Sequence, residues 1–165
     1  MNKDSFVHLR AGDMITLSGT VYTARDQAHR RLAEALRAGI RLPIPLEGAV
    51  VYYCGPTRTP RGRVIGSCGP TTSARMDEFT PELLKAGMRA MIGKGARSEQ
   101  VVQAIKKYRG VYFVTYAGCG ALLAQRVKKM RPVAYPELGP EAIYELEVKD
   151  FPLIVAIDAR GASIY

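Results

Sequence analysis

Three hydroxyls and a guanidinium stand together in Gly69-Pro70-Thr71-Thr72-Ser73-Ala74-Arg75-Met76-Asp77. Gly-Pro fixes a turn, and if the segment opens a helix, Thr71 and Arg75 lie one turn apart on one face, beside backbone N–H groups that favour an anion. A helix cap needs one hydroxyl, and this stretch has more than that. Arg25, at the start of a helical pattern, and Lys94, between glycines in Gly93-Lys94-Gly95, carry matching charge. Arginine grips a carboxylate through two parallel hydrogen bonds, and lysine adds a compact charge. Two arginines and a lysine near a set of hydroxyls suit a small dicarboxylate.

Other chemistries fit less well. Gly118-Cys119-Gly120 has Leu123 where a dinucleotide loop needs its third glycine. Gly93-Lys94-Gly95 lacks both the upstream glycine and the Ser/Thr of a phosphate loop. Cys54, Cys68 and Cys119 equal the number that holds an iron–sulfur cluster with one open iron. None is paired at ligand spacing, however, and each ends or follows a strand-like run in an apolar setting, so they read as buried free thiols and the chain as having no metal site of its own.

The elements that must position these residues show in the pattern of the chain. Residues 14–18 read as a strand ending at Gly19. A helix covers about 24–38, with Thr23 as its cap, Ala28, Leu32, Ala35 and Leu36 at helical spacing, and Gly39 as its end. Residues 49–54 read as a buried strand, and 63–68 as a second one joined to it as a hairpin across Pro60-Arg61-Gly62. Thr80-Pro81-Glu82 opens a helix that stops at Gly87. Residues 88–92 form a strand, Ser98 to Arg109 a helix, and 111–116 the clearest strand, followed by a short helix. Two more strands, 143–148 and 153–157, are broken by Asp150-Phe151-Pro152. Strands alternating with helices, with hairpin-like pairs mixed in, give a layered α/β domain with a mixed sheet.

The 165 residues make one domain, 1–165, large enough to bury a real core. An odd cysteine count places the chain in a reducing, cytoplasmic compartment. The polar N-terminus is no signal sequence, and no apolar run reaches a membrane span. The net charge of +9 admits nucleic acid, an acidic partner or anionic substrates. Its clusters at Arg30–Arg31, Lys106–Lys107 and Lys128–Lys129–Arg131 read as solvated helix faces. A non-catalytic basic module for nucleic acid is disfavoured, because few aromatics lie among the basic residues and no helix-turn-helix or zinc-finger spacing occurs.

Five stretches together resemble the β subunit, or C-terminal domain, of class I iron–sulfur fumarate hydratases and L-tartrate dehydratases: Gly19 to His29, Tyr53-Cys54-Gly55-Pro56, Gly69 to Asp77, Gly93-Lys94-Gly95 and Asp150-Phe151-Pro152. The resemblance implies a swivelling β/β/α domain docked on an α subunit, likened to a heterotetramer, whose cysteines hold a [4Fe–4S] cluster. It implies Thr71 as the base that removes a proton from carbon, Arg25, Arg75 and Lys94 as substrate contacts, and His29 and Thr72 as supporting residues. The implied reaction is reversible hydration of fumarate to L-malate, with tartrate as the alternative substrate.

Overall fold

A computed structural model describes residues 6–165, so the first five residues of the polar N-terminus lie outside it. In chain order the elements are β1 (Met14–Thr23), α1 (Asp26–Arg37), β2 (Val50–Tyr52), a 3-10 turn (Ser73–Met76), α2 (Thr80–Lys85), β3 (Ala90–Gly93), α3 (Glu99–Tyr108), β4 (Val111–Val114), α4 (Gly120–Ala124), β5 (Val127–Ala134), a second 3-10 turn (Pro136–Glu141) and β6 (Ile143–Ile157). Strands β1, β2, β3 and β4 pair in that order and all run parallel. The 15-residue β6 runs antiparallel to β1 along one edge and shares its other edge between β4 and β5. The pairings therefore close a ring, β1–β2–β3–β4–β6–β1.

The parallel strands are buried on both faces. Val51, Met91 and Tyr112 pack with Leu32 of α1, Leu83 and Leu84 of α2, and Val101 and Ile105 of α3. Their neighbours Val50, Tyr52, Ala90, Ile92, Val111 and Phe113 face Leu146, Val148, Phe151, Leu153 and Val155 of β6. The molecule is thus a layered α/β domain with a mixed sheet. Double burial explains why β2 and β4 read as unbroken apolar runs rather than alternating ones.

Several elements depart from the sequence expectation. β1 runs past Gly19 to Thr23, because Gly19 (φ 131°) takes a bulge where the register to β6 shifts. Thr23 therefore ends a strand instead of capping α1, and its hydroxyl accepts from Tyr144 N at 3.0 Å. Residues 63–68 form no strand and no hairpin. Their polar groups go to loops, with Thr57 N donating to Ser67 O (2.9 Å) and Cys68 N to Gly120 O (3.1 Å). Asp150-Phe151-Pro152 does not break the last strand: Asp150 sits at φ 51°, opposite the same register shift at Gly19, and Phe151 and Pro152 pair with Leu17 and Thr16. The run 127–134 is a strand rather than a helix, and its Lys129 and Arg131 are paired across to Glu147 and Glu145. The Thr80 hydroxyl donates back to Met76 O at 2.8 Å instead of capping α2. Among the described residues, no helix is long and apolar enough to cross a membrane.

Candidate functional site

Because β1 to β4 are parallel, the segments that leave their carboxyl ends gather on one edge of the domain, where open parallel sheets place their ligands. Arg25 follows β1, Tyr53 to Gly55 follow β2, Lys94 follows β3, and the loop to Gly120 follows β4. The Gly69 to Asp77 segment lies across this edge. Thr71 N donates to Tyr53 O at 2.7 Å and Ser73 N to Lys94 O at 3.0 Å. Thr72 pairs with Lys94 as an isolated parallel bridge. Lys94 N returns a bond to Ser73 Oγ at 3.1 Å. The Ser73 and Tyr112 hydroxyls are bonded at 2.8 Å, and Tyr112 donates on to Gly95 O at 2.8 Å. Burial pushes the Tyr112 phenol well above its usual range, so it stays a neutral donor.

Glycine makes this approach possible. A Cβ on Gly93 would collide with Ser73 Oγ, and one on Gly120 would sit 2.7 Å from Gly69 N. The segment is therefore clamped between the end of β3 and the start of α4 by close packing.

The 3-10 turn starts at Ser73, so Thr71 lies outside it and does not share a helical face with Arg75. Of its backbone groups, Thr71 N and Ser73 N are already spent on carbonyls. What remains available is side-chain chemistry. Among the described residues, neither the half-buried Thr71 hydroxyl nor the Lys94 ammonium has a hydrogen-bond or ion-pair partner.

The two arginines meet through a third residue. Asp26 Oδ1 lies 3.2 Å from Arg75 Nε, and Asp26 Oδ2 lies 3.9 Å from Arg25 Nε. Arg25 Nη2 is also 3.3 Å from Glu141 Oε1. The Arg25 side chain lies over Gly55, where a Cβ would come within 2.8 Å of Nη1 and 2.9 Å of Cδ. That packing accounts for the glycine in Tyr53-Cys54-Gly55-Pro56.

His29 supports Arg25 from beneath. Its ring is fully buried and meets Tyr53 edge-on at 5.0 Å. Nδ1 faces the Arg25 carbonyl at 2.9 Å, which only a protonated Nδ1 can satisfy, and Nε2 has no partner. Burial lowers its pKa to about 4, so the ring is neutral at physiological pH.

The cysteines separate. Cys54 and Cys68 are buried, Cys68 Sγ donates to Gly120 O at 3.9 Å, and the neighbouring Cys68 thiol together with burial pushes the Cys54 thiol far up. Cys119 is exposed, contrary to the buried setting expected for it. Among the described residues, no group of three or more His, Cys, Asp or Glu side chains is placed to hold a metal ion.

Four residues of this neighbourhood were not singled out in the sequence. Asp26 lies inside the Gly19 to His29 stretch and shows only as an acid in a first helical turn. Asp77, the last residue of the threonine motif, accepts from Arg97 Nε and from Ser98 N, both at 2.6 Å. Arg97 and Glu141 carry no local signal at all. Two cavities, one of about 530 Å³ between residues 60–67 and α4 and one near Ser18 and Glu47, lie away from these groups. The candidate site is an open edge.

A family model described as Fumarase C-terminus matches residues 1–165. The chain belongs to that family. It is 42% identical over 153 residues to the aerobic class I fumarate hydratase of Salmonella typhimurium, covering 92% of this chain and 26% of that protein. It is 41% identical to the putative L(+)-tartrate dehydratase subunit beta of Methanocaldococcus jannaschii, covering 100% of this chain and 88% of that one. To the L(+)-tartrate dehydratase subunit beta of Escherichia coli it is 37% identical, covering 94% and 79%. This Fumarase C-terminus chain thus spans about a quarter of the fumarate hydratase and most of the separate β subunits.

Proposed function

We propose that this chain is the substrate-gripping half of a hydro-lyase, active in complex with an α subunit in a cytoplasmic heterotetramer, that interconverts fumarate and L-malate. The observation that carries the reading is the Thr72–Lys94 bridge. It brings the backbone of the threonine motif alongside the Lys94 loop, on the edge that also bears Arg25 and Arg75. Those three cations suit the two carboxylates of the substrate.

In this reading Thr71 takes the proton from carbon. A threonine hydroxyl is a poor base in water, and a water-excluded cationic setting is what makes it competent. Lys94, Arg25 and Arg75 provide that field and stabilise the charge left on the substrate when the proton departs. The open edge is closed by the partner. A [4Fe–4S] cluster is assigned to that partner, since the cysteines of this chain do not fit as ligands. The excess positive charge of the chain draws dianions toward the edge.

L(+)-tartrate is the second reading, favoured by the fuller coverage of the separate β subunits. The test is reconstitution. The purified chain is assayed for iron and for turnover of fumarate, L-malate and L(+)-tartrate, alone and after anaerobic mixing with a cluster-bearing α subunit. Turnover only in the mixture supports the division of labour. Turnover or stoichiometric iron in the chain alone overturns it, and the ratio of kcat/KM values decides the substrate.

A further inference from the structure

Arg25 is not free in this structure. Its guanidinium is shared between two carboxylates, neither of which forms the parallel two-bond fork that arginine prefers. Glu141 reaches only Nη2, at 3.3 Å, and Asp26 stands 3.9 Å from Nε. The Nε proton is buried without a hydrogen-bond acceptor, an arrangement that carries a desolvation cost.

The two acids differ in what holds them. Asp26 lies in the first turn of α1 and also contacts Arg75, so it spaces the two arginines. Glu141 ends a 3-10 turn that straps across α1. The turn is fixed by the ion pair of Glu137 with Arg31, by Tyr144 Oη donating to Gly139 O at 3.0 Å, and by Ala142 N donating to Gly139 O at 3.0 Å. Glu141 therefore belongs to a fixed strap, and its contact with the candidate site runs through Arg25 alone.

Charge counting gives the contact a purpose. Arg25, Arg75 and Lys94 bring three positive charges, and Asp26 and Glu141 bring two negative ones. With Glu141 engaged the edge is short of the charge that a dianion needs. With Glu141 released it matches one.

We infer that Glu141 is the resident counter-ion of Arg25, a carboxylate occupying the place that a substrate carboxylate takes over, so that it sets the threshold at which the site accepts a dianion. This rests on the dicarboxylate reading above. Glu141 is a specificity-determining residue that acts through Arg25.

The test uses the full chain, its Glu141→Gln variant and a control, Glu34→Gln, which removes the same charge from the exposed side of α1 without touching Arg25 or the strap. Each is titrated with succinate at low, fixed ionic strength, following the Arg25 Nε–H resonance, whose burial slows exchange, together with the Thr71 and Lys94 amides. The amide isostere keeps the turn, and the backbone spectrum checks this. Glu141→Gln is expected to bind succinate roughly tenfold more tightly than the parent. Glu34→Gln is expected to stay within roughly twofold. A smaller gain is expected with butyrate, which carries one carboxylate. If succinate moves the Arg25 signal in both proteins but Glu141→Gln binds no tighter, the counter-ion role is overturned while the carboxylate-binding role of Arg25 stands. If Thr71 and Lys94 respond and Arg25 does not, the inference likewise falls without the functional reading. If none of the three responds in any of the proteins, the dicarboxylate reading falls and the inference with it.

Discussion

Arg97 lies fully buried with its Nε 2.6 Å from Asp77 Oδ1, so the last residue of the threonine motif holds the loop that carries Lys94. Arg97 also donates to Thr80 Oγ1 at 2.7 Å and stacks over the Tyr53 and Tyr112 rings at 5.3 and 4.9 Å. Asp77 meanwhile accepts from Ser98 N at the start of α3. Removing one partner of such a pair strands the other charge in the interior. Asp77→Ala is expected to cost about 3–5 kcal/mol, read as a fall in the urea midpoint with little change in m. A loss below about 1 kcal/mol, the range of an exposed pair, would show that water solvates Arg97 readily.

Thr71→Val keeps volume and branching while deleting the hydroxyl. In the reconstituted complex kcat is expected to fall by roughly two to four orders of magnitude with KM changing much less. Arg75→Met is expected to raise KM strongly along with any fall in kcat, because a carboxylate contact serves ground and transition state alike. Near-normal kcat with weakened binding in Thr71→Val would make Thr71 an anchor and move the base to the partner.

His29 gives the fold a pH dependence. Its folded pKa, about 4, lies below the ordinary 6.5 because burial disfavours the charged ring. The unfolded chain therefore takes up a proton here before the native one does. Stability is whole above pH 6.5 and is lost as pH falls from about 6.5 to 4, by about 3 kcal/mol in all at 1.36 kcal/mol per unit. Unfolding in urea at pH 7.5, 6 and 5 reads this slope. His29→Gln is expected to flatten it, and an equal slope in that variant would assign the pH dependence to other groups. Nitrogen-15 spectra are expected to show the Nδ1–H tautomer, as the Arg25 carbonyl requires.

Two glycines separate folding from binding. Gly93→Ala drives a methyl into Ser73 Oγ, itself held by Tyr112 and by Lys94 N, so the fold has little room to yield and a loss of about 1–3 kcal/mol is expected. Gly55→Ala meets first the flexible Arg25 side chain, at 2.8 Å from Nη1, and then Pro140 O at 3.0 Å. It is expected to leave the denaturation midpoint nearly unchanged while weakening succinate binding. The reverse ranking in denaturation would show that Gly55 is a folding position.

The sequence by itself determined the layered α/β class, the helices α1 and α3, the buried runs of β2, β3 and β4, and the residue types offered at the edge. Local chemistry fixes each of these: apolar periodicity for α1, the Ser98 hydroxyl accepting from Val101 N for α3, and double burial for the parallel strands. The family membership was legible for the same reason, because its motifs are contiguous stretches. Tertiary structure alone decided which strand pairs with which. Strand β5 has the charged, proline-containing face of a solvated segment and becomes a strand because β6 offers it an edge, with Glu145 and Glu147 opposite its cations. It also decided that residues 63–68 make loop bonds to Thr57 and Gly120 instead of a ladder. Glu141, which pairs with Arg25, and Arg97, which pairs with Asp77, come from distant parts of the chain for one reason. An ion pair costs no local conformational preference, so nothing near Arg25 or Asp77 in sequence records these two partners until the folded chain brings them together.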